Sequence, residues 1–188
     1  MRVFIAVELP KKIQEEIALC AANLKSAGAD VKWVETANLH LTLKFLGEIN
    51  EPQVGRIKEA LAQAMVDLSS FTVRIEGIGA FPRTTSPRVI WLGVHEGEKE
   101  LIALAQRVEE GCVKLGFKKE ERPFSAHLTI GRVRSREGLA PLIKQLQLAE
   151  FRASEPVSVE KILLFQSLLS PKGSTYLPLS EIPLRSYD

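Results

Sequence analysis

The sequence predicts an α+β fold in which two similar halves pack into one bilobal domain. Three observations carry this. Four stretches of helical periodicity alternate with short β-like runs, several late strands adjoin each other without an intervening helix, and the same order of elements occurs twice.

The elements run in chain order. Val3–Val7 reads as a first strand. Pro10 opens a helix whose apolar stripe is Ile13, Ile17, Cys20 and Leu24, with Gly28 just past its end. Leu39–Leu46 is a strand carrying a histidine. Asn50 is a natural N-cap for a second helix with Val54, Ile57, Leu61, Met65 and Leu68 in phase. Phe71–Ile78 and Val89–Val94 read as strands. A third helix starts near Glu98, with Leu101, Leu104, Val108 and Leu115 in phase, and stops at Gly116. Ser125–Val133 is a second histidine-bearing strand. A fourth helix starts near Ser135 with Leu139, Leu142, Ile143 and Leu146 buried, and Pro141 lies in its first turns. Val157–Phe165 and a hairpin turning at Pro171-Lys172-Gly173 and returning through Tyr176–Leu179 complete the chain. Strand, helix, His-bearing strand, helix, strand thus runs from Met1 to about Ile78 and again from about Val89 to Phe165. With no Gly-, Ser- or Pro-rich linker between the copies, a single domain over residues 1–188 is expected, its halves about 1–88 and 89–188.

Composition narrows the function. Of 188 residues, 45% are apolar and 26% charged, which is ordinary for a globular chain, and 25 Lys and Arg against 23 Asp and Glu leave a net charge of only +2. A polyanion would therefore be held by a few placed cations rather than by a broad positive field. Cys20 and Cys112 show neither CxxC spacing nor disulfide density and read as buried free thiols of a reducing compartment. The opening apolar run, closed by Glu8 and Pro10, is too short for a signal segment or a membrane span. A cytoplasmic monomer with no membrane partner is expected.

The informative motif is His40-Leu41-Thr42-Leu43, repeated as His127-Leu128-Thr129-Ile130. Alternation on a strand projects His40 with Thr42, and His127 with Thr129, while the aliphatic residues point to the core. A single His-x-Thr is usually an ordinary half-exposed strand pair. Here two of only three histidines head the same tetrapeptide at equivalent places in a repeat. Ordinary usage would place that pattern after a given His on the order of once in several hundred cases. Duplication explains the repeated aliphatics but does not require two histidines.

Near neutrality one imidazole can be neutral and another protonated, so a facing pair can take a proton from an attacking water and give one to a departing oxygen. The threonine hydroxyls can hydrogen-bond the non-bridging oxygens of a phosphate. A metal site would need three or four convergent ligands, and His95, in the polar run Val94-His95-Glu96-Gly97, reads as a solvated strand-end residue. No metal and no cofactor is expected. Walker-type loops, GxSxG, HExxH and Cys–His zinc spacings are absent. On alternation alone, Lys44 joins the catalytic face, Phe45 joins the core and Arg132 points away from His127. Arg134 and Arg136 read as a basic rim or as caps of the fourth helix.

At these tetrapeptides the sequence resembles the 2H phosphoesterase superfamily, and within it the bacterial and archaeal RNA 2′,3′-cyclic phosphodiesterases, historically called 2′-5′ RNA ligases. The likeness runs through Arg2-Val3-Phe4-Ile5-Ala6-Val7, Trp33-Val34, Asn38 to Gly47, Phe81-Pro82-Arg83, Arg88-Val89-Ile90-Trp91 and Gly131-Arg132-Val133. It implies two pseudo-symmetric lobes, each an antiparallel sheet backed by two helices, with a cleft holding both motifs. It implies an RNA 3′ end closed as a 2′,3′-cyclic phosphate, opened by water to a 2′-phosphomonoester, with 2′–5′ joining as a side activity. His127 matches the general base, His40 the general acid, and Thr42 and Thr129 the phosphate-binding hydroxyls. Arg132 matches a position associated with phosphate contact, which a bulge at Gly131 would permit and strict alternation would not. Two rival expectations remain: a non-catalytic RNA-end binder, which would not need both imidazoles, and a related enzyme acting on other cyclic nucleotides or 2′–5′ oligonucleotides.

Overall fold

β1, Arg2–Glu8, buries its five central residues in succession, the pattern of a strand covered on both faces. In the computed structural model, which describes residues 1–186, Val3, Ile5 and Val7 face the main core while Phe4 and Ala6 join a separate cluster with Leu163 and Phe165. The last two positions of the expected second half lie outside the described residues.

α1, Lys11–Lys25, follows Pro10 and buries Ile13, Ile17 and Leu24; Cys20 is only partly covered. β2, Val31–Trp33, is a short strand the pattern did not reveal. After a 3₁₀ turn at Thr36–Asn38 comes β3, His40–Glu48. α2, Glu51–Met65, starts at Asn50 as expected: the Asn50 side chain accepts from the Gln53 amide at 3.1 Å and the Gln53 side chain accepts from the Asn50 amide at 2.8 Å. That reciprocal pair satisfies two otherwise orphaned donors.

The expected strand Phe71–Ile78 is two strands, β4 (Phe71–Val73) and β5 (Ile75–Arg83). The break is at Arg74, whose backbone pairs with Glu96 and His95 rather than with either neighbour strand. β6, Ser86–Val94, completes a hairpin with β5, and α3, Glu98–Lys114, buries Leu101, Leu104, Val108 and Cys112. Burial pushes the Cys112 thiol up to about 12, so it is an inert packing group. β7, His127–Val133, is the second motif strand.

α4, Leu139–Leu148, begins four residues later than expected. Gly138 is left-handed (φ 66°), and a Cβ there would fall 2.9 Å from the Gly28 carbonyl oxygen. The preceding turn is instead tied to the residue just before β2: the Asp30 amide donates to the carbonyl of Glu137 and the Arg134 amide to that of Asp30. The expected strand Val157–Phe165 is likewise split, into β8 (Val157–Val159) and β9 (Lys161–Ser170), and β10 (Gly173–Pro183) returns from the expected hairpin turn.

These strands form two four-stranded antiparallel sheets, ordered β10-β9-β1-β3 and β2-β7-β6-β5, and a small β4-β8 pair. The fold is thus α+β with four helices in two related halves. The sheets exchange strands: β2 pairs with β7 of the other half, and the C-terminal hairpin pairs with β1. One contiguous aliphatic core runs beneath both sheets and touches all four helices. No described helix is long and apolar enough to cross a membrane.

Candidate active site

The two motif strands occupy matching places. β3 lies beside β1, and β7 lies beside β6, each antiparallel. Cα atoms of β3 and β7 approach within 8 Å of each other. His40 sits opposite Glu8 and Thr42 opposite Ala6; His127 sits opposite Gly93 and Thr129 opposite Trp91. In both strands His and Thr are half-buried while Leu41 and Leu128 are fully buried, as alternation predicts.

The two imidazoles are held alike. His40 Nδ1 lies 3.0 Å from the carbonyl oxygen of Asn38, and His127 Nδ1 lies 2.8 Å from that of Ser125. A carbonyl oxygen only accepts, so Nδ1 carries the hydrogen in each ring and Nε2 is left for chemistry. Each ring also packs on an aromatic residue from the third strand of its sheet. His40 lies 4.7 Å from Phe165 and His127 lies 5.2 Å from Phe81, centroid to centroid. Those two phenylalanines stand at equivalent positions, opposite Phe4 and Val89.

The surroundings then differ. His40 also meets Phe4 and Tyr176, 6.5 and 5.6 Å away. Burial among these groups holds its imidazole below the usual value, partly offset by the Asn38 carbonyl and by the charge of Glu8. Burial also lifts the Tyr176 phenol, and the charges of Arg132 and Arg2 pull it partly back. Arg132, from the second motif strand, therefore acts on the ring that packs against the first motif's histidine.

Alternation fails beyond the threonines, for the same reason in both strands. The register with β1 skips Leu43, and the register with β6 skips Ile130. Each extra residue is a β-bulge that reverses the facing of the residues after it. In β3 the expectations for Lys44 and Phe45 are both overturned: Lys44 is 4% exposed and Phe45 is 62% exposed. The Lys44 ammonium donates to Glu109 at 2.8 Å and to the Lys118 carbonyl at 3.0 Å, and is 3.4 Å from Glu120. These partners make a buried lysine tolerable. Leaving the phenylalanine exposed forgoes roughly 1.5–3 kcal/mol of burial.

In β7 the bulge exposes Arg132 and turns Gly131 to the packed side, where a Cβ would lie 2.9 Å from both the Trp33 ring and Val31. Gly131→Val should therefore destabilise the fold by about 1–3 kcal/mol, measured as a lower denaturant midpoint. An unchanged midpoint would show that Trp33 yields freely.

Arg134 and Arg136 are exposed ahead of α4, and His95 is exposed just after β6. No three His, Cys, Asp or Glu side chains converge among the described residues. Glu8 and Tyr176 were not singled out from the sequence. Their proximity to His40 depends on which strands pair, and no local pattern announces that.

The LigT-like phosphoesterase family model matches the chain twice, over residues 7–91 and 92–176, once for each half. The chain belongs to the LigT-like phosphoesterase family. Relatives named RNA 2′,3′-cyclic phosphodiesterase include one from Archaeoglobus fulgidus, 42% identical over 95% of this chain and 98% of its own. Another, from Methanothermobacter thermautotrophicus, is 37% identical over 94% of this chain and 95% of its own. Among solved structures, TT0787 of Thermus thermophilus superposes with a TM-score of 0.82 at 26% identity, covering 100% of both chains. The Escherichia coli LigT complex with 3′-AMP gives 0.78 at 26% identity over 97% of both. The double LigT-like match falls on the same internal duplication that places His40 and His127 on equivalent strands.

Proposed function

We propose that this chain hydrolyses RNA 2′,3′-cyclic phosphate ends to 2′-phosphomonoesters, with both motifs acting on one phosphate in a single bilobal domain. The observation that carries the reading is the matched pair of imidazoles, each fixed through Nδ1 to a carbonyl two residues upstream and each offering Nε2. The names of the relatives supply the substrate.

Water attacks phosphorus and loses its proton to Nε2 of neutral His127. The bond from phosphorus to the 3′ oxygen breaks, and that oxygen takes the proton from Nε2 of protonated His40. Thr42, Thr129 and Arg132 hold the non-bridging oxygens as charge builds. Burial lowers the proton affinity of free His40, so the acid role relies on the anionic phosphate to raise it. With both proton transfers and charge stabilisation supplied by side chains, no metal is required. A 5′-hydroxyl in place of water would yield a 2′–5′ bond by the same steps. One copy carries both motifs, so a monomer suffices, and free Cys20 and Cys112 fit a cytoplasmic setting.

The test is product analysis with a short RNA ending in 2′,3′-cyclic phosphate in excess EDTA. The expected product is the 2′-phosphomonoester at an undiminished rate. Loss of turnover on chelation, restored by zinc or manganese, would refute the metal-free reaction; no turnover under any condition would refute the activity.

A further inference from the structure

Among the described residues Lys44 is the one buried charged side chain, and the two proton transfers leave it no part. A buried ion pair is seldom worth more to stability than aliphatic side chains of similar size, so what this one holds is informative. The Lys44 ammonium donates to Glu109 Oε2 at 2.8 Å and to the Lys118 carbonyl at 3.0 Å, while Glu109 Oε1 accepts from the Glu120 amide at 2.8 Å. Burial opposes the charge on Glu109, but Lys44 and the Glu120 amide outweigh it and hold the carboxyl below its ordinary value. One ammonium–carboxylate pair thus grips the main chain at Lys118 and Glu120. That main chain leads to His127. Residues 117–126 form no helix or strand. Over residues 118–124, the only main-chain groups with a hydrogen bond among the described residues are the Lys118 carbonyl and the Glu120 amide. Immediately beyond lies Ser125, whose carbonyl oxygen is 2.8 Å from His127 Nδ1. The carbonyl that holds His40 is secured elsewhere, because the Asn38 side-chain amide donates to the Ser174 carbonyl of β10 at 2.7 Å.

Resting on the reading that His127 is the base, we propose that Lys44, paired with Glu109, is a positioning residue for His127. From the first motif strand it fixes the segment whose Ser125 carbonyl keeps the hydrogen on His127 Nδ1. A base depends on that restraint. A ring released from the carbonyl can carry its hydrogen on Nε2, where no lone pair remains to take the proton of water. The acid has no such need, since a protonated imidazole carries a hydrogen on both nitrogens. Lys44 therefore serves the histidine of the other motif and not the one on its own strand.

The experiment compares wild type with Lys44→Met and with a double variant, Lys44→Met with Glu109→Gln. The double variant leaves no lone charge at the site, so it carries the test should Lys44→Met fail to fold. Two-bond proton–nitrogen correlation spectra, recorded at a pH where both rings are neutral, read the tautomers directly. His127 should be the Nδ1–H form in wild type and should gain a substantial Nε2–H population in the variants, with His40 unchanged. On a short RNA ending in 2′,3′-cyclic phosphate, kcat should fall roughly 10- to 100-fold with KM little altered. A 4-nitrophenyl phosphodiester, whose leaving group needs no proton, should recover none of that loss. An unaltered His127 tautomer, a change confined to His40, or an unchanged kcat would each overturn the proposal. Recovery on the nitrophenyl substrate would do so too, by showing that Lys44 acts through the acid. If wild type turns over neither substrate, the proposed hydrolysis fails separately, and the spectra alone decide whether Lys44 sets the His127 ring.

Discussion

Replacing either His40 or His127 with alanine should lower the rate of cyclic-phosphate hydrolysis by about 10²–10⁴-fold. Each histidine handles one of two proton transfers to or from the same phosphorus centre, so losing one leaves the other with little to assist. The double variant should for that reason be hardly slower than either single one. Independent effects that multiply in the double variant would mean that the rings serve separate events. Neither change should unfold the protein, because both rings are only half-buried and the motif strands are anchored from the other side by Leu41 and Leu128. The decisive assay is single-turnover hydrolysis of a defined RNA, with thermal melting of each variant as the control. Wild-type rates in both single variants would end the acid–base account.

The second large effect separates the two roles. A 4-nitrophenyl phosphodiester releases nitrophenolate, which needs no proton. If His40 is the acid, His40→Ala should recover most of its lost rate on this substrate, while His127→Ala should stay slow because water must still be deprotonated. Rescue of His127→Ala alone would reverse the assignment. The comparison matters because burial lowers the His40 proton affinity in the free protein, which by itself would suit a base. On RNA substrates the rate should be bell-shaped in pH, since one ring must be neutral while the other is protonated.

How far the sequence could be read depended on the range of the interactions. The faces of His40, Thr42, His127 and Thr129 were legible because strand alternation is local and their partners Leu41 and Leu128 are aliphatic. The α2 cap was legible because Asn50 and Gln53 satisfy each other within one turn. Lys44 and Phe45 were misread, and Arg132 could not be decided, because their facing is set by bulges at Leu43 and Ile130. A bulge is a property of two strands in register, and β1 lies more than thirty residues from β3 in the chain. The breaks at Arg74 and Glu160 have no local signal either: β-branched and aliphatic residues recur on both sides while the hydrogen-bonding partner changes. The start of α4 lies later than expected because left-handed Gly138 packs against the backbone of Gly28 and Ala29, more than a hundred residues away, a contact no local pattern announces.

The central claim is that one phosphate engages both motifs, and a crystal structure of the protein with orthophosphate or a nucleoside 2′-monophosphate tests it most directly. The account predicts a single anion within hydrogen-bonding distance of Nε2 of His40 and of His127, with the Thr42 and Thr129 hydroxyls on its oxygens. An anion bound to one motif alone, or the two Nε2 atoms held too far apart to share one, would contradict it.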